Sequence, residues 1–188
     1  MPADLSPRDV VDVLTADHHL MLETAAGIRA ATSEADKREL ADLLIAELVR
    51  HSVAEELWVY PAMRRHLPDG DRAVDDDVAE HQELEVLLKR LEGVGPEDER
   101  FDVLVARLEG VLADHVRDEE TDQFPQLRAA VPHEELVLMA ERVEAVKQVA
   151  PTRAHPGAPN SALFHALAGP GVGLVDRLRD RLTGRPHD

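Results

Sequence analysis

At 188 residues the chain can bury one sizeable core plus a small appendage, and 44% hydrophobic residues mark it as globular. A net charge of −17 weighs against nucleic-acid partners, which need a basic patch, and the lack of cysteine excludes disulfides, thiolate metal sites and a cysteine nucleophile. Aromatics are only 3% while Leu, Ala, Val and Glu dominate, so the composition favours helices and the expected fold is all-α.

The N-terminus, Met1-Pro-Ala-Asp-Leu-Ser-Pro7, has neither the basic segment nor the apolar run of a signal peptide. No stretch approaches the roughly 20 apolar residues of a membrane span, so a cytoplasmic protein without a membrane partner is expected. Ser6-Pro7 suits a helix start, and Val11, Leu14, His18, Met21, Leu22, Ala25 and Ile28 follow at helical spacing. His19 falls off that stripe. Ser33 with Asp36 resembles a capping box and opens a second helix, whose inward stripe reads Leu40, Leu44, Leu48, His51, Glu55, Trp58. Pro61 should disturb its last turn, and Leu67-Pro68-Asp69-Gly70 ends it.

A third helix beginning near Asp71 carries Val74, Val78, His81, Leu84, Leu88 and Leu91 inward, with Glu85 stacked on His81. Gly93-Val-Gly95-Pro96 closes it. The fourth starts around Glu97 and presents Leu104, Leu108, Leu112, His115 and Glu119 on one face before Ala130-Val131-Pro132. Short connections between four amphipathic helices predict an up-down-up-down four-helix bundle over residues 1–131. An additional helix is expected within 132–150. Pro151, Pro156, Gly157 and Pro159 then mark a linker, and residues 151–188 end in a short amphipathic piece at Gly173–Leu182. From residue 151 on there are five Arg against three Asp, a sign change that suits docking on the acidic body or a protein partner, a disordered tail being the alternative.

Two stretches match. His51-Ser-Val-Ala-Glu55-Glu56 leads to Tyr60-Pro61, and His115-Val-Arg-Asp-Glu119-Glu120 leads to Phe124-Pro125, an offset of 64. Asp17-His18 likewise corresponds to Glu80-His81, offset by 63, so the chain reads as a duplicated helix pair. On a helix, residues four apart share a face, so each copy points an imidazole and a carboxylate the same way. The inward polar set is then His18, His51, Glu55, His81, His115 and Glu119, with Glu85 a seventh candidate.

Burying these groups in a leucine core costs several kcal/mol each unless they are paired or bind metal. A single core histidine reads as structural; one from each helix, with two Glu beside them, reads as a metal site. Nitrogen and carboxylate donors without sulfur suit iron, manganese or zinc, and six or seven are too many for one tetrahedral zinc. Two octahedral ions accommodate them, with bridging Glu and a position or two left open. Tyr60 reads as an aromatic cap, the sharper alternative being a metal ligand or radical quencher. Trp58 reads as core. Glu56 and Glu120 are expected in solvent, with Glu120 a fallback ligand. His66, His133, His155, His165 and His187 lie off the pattern.

The sequence resembles the hemerythrin-like family of HHE cation-binding domains over residues 6–130, in Asp17-His18, His51…Glu55, Glu80-His81 and His115…Glu119. That resemblance implies a four-helix bundle holding two non-haem iron ions with carboxylate and oxo or hydroxo bridges, manganese or zinc being weaker fits. Members that carry oxygen have a further His four residues after the third-helix His, where this chain has Glu85. Three functions compete. The first is a metal-binding protein that binds or senses O2, NO, peroxide or iron level. The second is an enzyme decomposing peroxide or reducing NO. The third is an interaction module in which the bundle is scaffolding.

Overall fold

A computed structural model describes residues 7–154 and Pro156 of the chain. The first six residues and the amphipathic piece expected at Gly173–Leu182 lie outside the described residues. All regular structure described is helical: α1 (Val10–Ala30), α2 (Glu34–Ala54), α3 (Tyr60–His66), α4 (Gly70–Glu92), α5 (Glu99–Asp118), α6 (Phe124–Ala130) and α7 (His133–Lys147). A π-helical turn at Glu55–Val59 joins α2 to α3 in one rod, and another at Glu119–Gln123 joins α5 to α6. Four rods running up, down, up and down form the bundle, and α7 packs across α1 and α2. Among the described residues, no helix is long and apolar enough to cross a membrane.

The caps explain where the rods begin. α1 is capped by Asp9 rather than Ser6: its side chain accepts from Asp12 N–H, and the Asp12 side chain returns to Asp9 N–H. Arg128 of α6 binds both carboxylates and fastens this cap to the end of the fourth rod. Ser33 does cap α2, accepting from Asp36 N–H at 3.0 Å. At the tight link from α3 to α4 a Cβ on Gly70 would lie 2.1 Å from Met63 O, so only glycine lets the rods meet so closely.

Pro61 and Pro125 do not break their rods. Each follows a π turn in which the N–H of the preceding residue bonds five residues back, Tyr60 to Glu55 O and Phe124 to Glu119 O. A proline has no N–H to give and crowds the carbonyl four residues earlier, and widening the turn by one residue accommodates both defects. The extra residue shifts the helical phase. Val59 and Tyr60 turn inward, whereas Trp58, expected in the core, ends half-buried with the Arg142 guanidinium 4.7 Å from its ring centre.

The apolar interior is split in two. One block holds Met21, Ile28, Leu44, Leu48, Leu88, Phe101 and Leu112, the other Leu14, Val59, Met63, Phe124, Leu127 and Val143. The layer between them is made of histidine and glutamate.

Candidate metal centre

Each rod brings one imidazole to this layer: His18 from α1, His51 from α2, His81 from α4 and His115 from α5, all within 5% of full burial. Glu55 and Glu119, the first residues of the two π turns, are fully buried among them. The rings form two pairs. His18 Nε2 faces His51 Nε2 at 3.2 Å, and His81 Nε2 faces His115 Nε2 at 3.3 Å. Each carboxylate spans the pairs: Glu55 Oε2 lies 3.1 Å from His51 Nε2 and 3.4 Å from His81 Nε2. Glu119 Oε2 lies 3.2 Å from His18 Nε2 and 3.6 Å from His115 Nε2. Ligand atoms of His18, His51, Glu55, His115 and Glu119 lie within 4.8 Å of one another. Glu85, one turn beyond His81, is half-buried, unlike the six enclosed side chains.

The outward nitrogens are held as carefully as the inward ones. His18 Nδ1 donates to Glu120 at 2.8 Å and His115 Nδ1 to Glu80 at 2.9 Å, while longer contacts of 3.4 Å tie His51 Nδ1 to Asp17 and His81 Nδ1 to Glu56. A carboxylate on Nδ1–H fixes the tautomer, leaving the Nε2 lone pair to face the centre. This corrects the expectation for Glu56 and Glu120. Their side chains are only 17% and 28% exposed, because the π turns rotate them off the solvent face. The crossed pattern also went unread for Asp17 and Glu80, although a carboxylate directly before each His was visible in the sequence.

The donor set fits a cation. All four carboxylate oxygens of Glu55 and Glu119 are buried without a hydrogen-bond partner, despite the imidazole nitrogens nearby. Orphaned carboxylates in a low-dielectric layer are costly, and a shared positive charge satisfies them. Without metal, protons take that role. Burial opposes charge on His51, but Glu55 and Asp17 lift it to about 10; burial likewise opposes charge on His81, and Glu55 and Glu56 lift it to about 9. Glu55 is held well below the usual carboxylate range by His51 and His81, against the opposing effect of its burial.

The walls differ. Tyr60, buried, sets its hydroxyl 3.1 Å from His81 Nε2, so it reaches the donors and is more than a cap. Phe124, its counterpart, stacks on His18 with ring centres 5.6 Å apart. Asp77 and Gln123 form a buried pair at 2.9 Å, each keeping one unpartnered oxygen, and burial raises Asp77 to about 7. Neither was singled out by the stripe of apolar residues, since Asp77 occupies an inward position adjoining it.

The model of the hemerythrin HHE cation-binding domain matches residues 9–127. An uncharacterized hemerythrin-like protein of Schizosaccharomyces pombe is 29% identical over 178 residues, covering 94% of this chain and 88% of that protein. A DNA nickase of a Nostoc strain is 26% identical over 145 residues, covering 77% of this chain but 41% of the nickase. No solved structure gives a significant match. With a bundle of this topology, a buried His/Glu cluster suited to metal, and a family match over most of its length, the chain belongs to the hemerythrin HHE cation-binding domain family.

Proposed function

We propose that the chain is a non-haem di-iron protein that binds a small ligand (O2, NO or peroxide) in sensing or defence. The observation that carries this reading is the placement of Glu55 and Glu119, each buried, unpartnered and lying between one His of each pair. Such a carboxylate would be able to serve both of two neighbouring ions. His18 and His51 would hold one ion, His81 and His115 the other. Glu85, half-buried, stays outside the proposed set. Bound there, iron supplies an open coordination position and a change of oxidation state. The chain itself keeps the lone pairs aimed inward through four outer carboxylates and excludes bulk water with two apolar blocks.

A second reading, an enzyme that decomposes peroxide or reduces NO, draws support from Tyr60. Its hydroxyl can hold a proton at the inner edge of the centre, where burial and the nearby carboxylates keep it protonated. A cytoplasmic setting without membrane or nucleic-acid partners completes the proposal. The nickase relative suggests otherwise, but a net charge of −17 repels a phosphate backbone. The deciding experiment is anaerobic reconstitution with ferrous iron, metal analysis, and mixing with O2, NO or peroxide. Two irons per chain and a reversible ligand spectrum support the first reading; sustained O2 evolution from peroxide supports the second. Fewer than one metal per chain from iron, manganese or zinc overturns both.

A further inference from the structure

The family match ends at residue 127, yet α7, beginning at His133, reaches the centre. Lys147, its last residue, places Nζ 2.6 Å from Asp17 Oδ1, while Asp17 Oδ2 faces His51 Nδ1 at 3.4 Å. Both side chains are only 12% exposed, so the pair is sheltered from the screening that makes surface ion pairs weak. α7 is anchored well enough to hold it: Leu136, Met139, Ala140 and Val143 are buried. The equivalent carboxylate of the second half, Glu80, sits closer to its imidazole, at 2.9 Å from His115 Nδ1, and has no cation partner among the described residues.

We infer that Lys147 is a positioning residue through which α7 makes the two metal positions inequivalent. A carboxylate on Nδ1–H increases the donor strength of an imidazole, and a lysine sharing that carboxylate weakens the effect. Lys147 therefore makes His51 a poorer donor than Asp17 alone would, so the ion held by His18 and His51 is bound less tightly and reduced more readily than it would be without the lysine. The helix appended to the family domain thus tunes one of the two ions and not the other. This inference rests on the two-ion reading above.

The test uses full-length protein loaded with ferrous iron under anaerobic conditions, and follows metal loss to a chelator and, in a titration with a chemical oxidant, the two one-electron steps. Lys147→Met should tighten the ion held by His18 and His51 about 10-fold, as outer partners of metal-bound histidines typically do, and change the spacing of the two steps. Lys147→Arg should keep the wild-type spacing. Arg142→Met, which removes a charge from the same helix without touching Asp17, should leave it as in wild type. In metal-free protein the His51 Nδ1–H resonance should move downfield in Lys147→Met, with His115 unmoved. If two ions bind but Lys147→Met changes neither the spacing nor that resonance, or Arg142→Met shifts the spacing equally, the inference fails and the two-ion reading stands. If two ions never bind, the reading itself fails.

Discussion

The two halves of the bundle supply the same donors but line them differently. Where the first half has Leu14 and Val59, both in an apolar block, the second has Asp77 and Gln123, buried and incompletely bonded. The rings facing the imidazoles diverge too: Phe124 stacks flat on His18, while Tyr60 turns a hydroxyl towards His81. The buried His and Glu positions are alike in the two halves, and the residues packed around them differ. The His81/His115 side is thus the polar one. A small polar ligand approaching that side meets groups that can hold or move a proton, whereas the His18/His51 side offers hydrocarbon.

The severest way to break the comparison is to remove a donor both halves share. Glu55→Ala or Glu119→Ala should each bring iron below one per chain, because on the two-ion reading each carboxylate would serve both positions. Chelating the wild type should have a similar thermal consequence. Metal present at about 1,000 times its dissociation constant stabilises by about 4 kcal/mol, so stripping it should lower Tm by about 8–16 °C in a chain of this size. A melt unchanged by chelation would contradict the reading of this layer as a metal site.

Proton competition comes next. In metal-free protein His51 and His81 titrate at about 10 and about 9, above the ordinary 6.5. Stability they confer on the metal-free fold is fully present below pH 6.5 and lost as pH climbs through 9 and 10. Metal must displace those protons, one at each proposed position, so each ion's apparent affinity should rise by about 10-fold per pH unit between pH 7 and 8, with about two protons released per pair of ions loaded, measurable in a weakly buffered titration.

Smaller effects sharpen the contrast between walls. Asp77→Leu with Gln123→Val copies the first half into the second and removes two unpartnered buried oxygens. It should raise stability by about 1–3 kcal/mol at pH 8 in denaturant melts, and less at pH 5. The sign follows from Asp77: raised from 3.8 to about 7, its carboxyl burdens the fold only as pH rises through that interval. Tyr60→Phe, the matching change of ring, should alter stability by under about 1 kcal/mol while slowing any peroxide turnover by the loaded protein. An unchanged turnover would remove Tyr60 from the chemistry.

The four rods and the inward placement of four His and two Glu were legible in the sequence because each follows from helical spacing. His51 and Glu55, or His115 and Glu119, share a face whatever surrounds them. What escaped was the facing of the residues within the π turns. Uniform helical spacing carries Trp58 inward and leaves Glu56 and Glu120 in water, but one inserted residue reverses all three placements. The Tyr-Pro and Phe-Pro pairs were the local signal. The pairings of Asp17 with His51 and Glu80 with His115 were hidden for another reason: they cross between helices, which no single-helix periodicity encodes.

Because the layer of histidine and glutamate interrupts the greasy seam of every rod at one height, sliding any rod along its neighbours by a turn would push an imidazole into hydrocarbon and strand a carboxylate. A featureless leucine seam tolerates such slippage; this one does not, since a misplaced ionisable group costs several kcal/mol. The band that can hold ions therefore also acts as a vernier, fixing the vertical alignment of the four rods before any ion arrives.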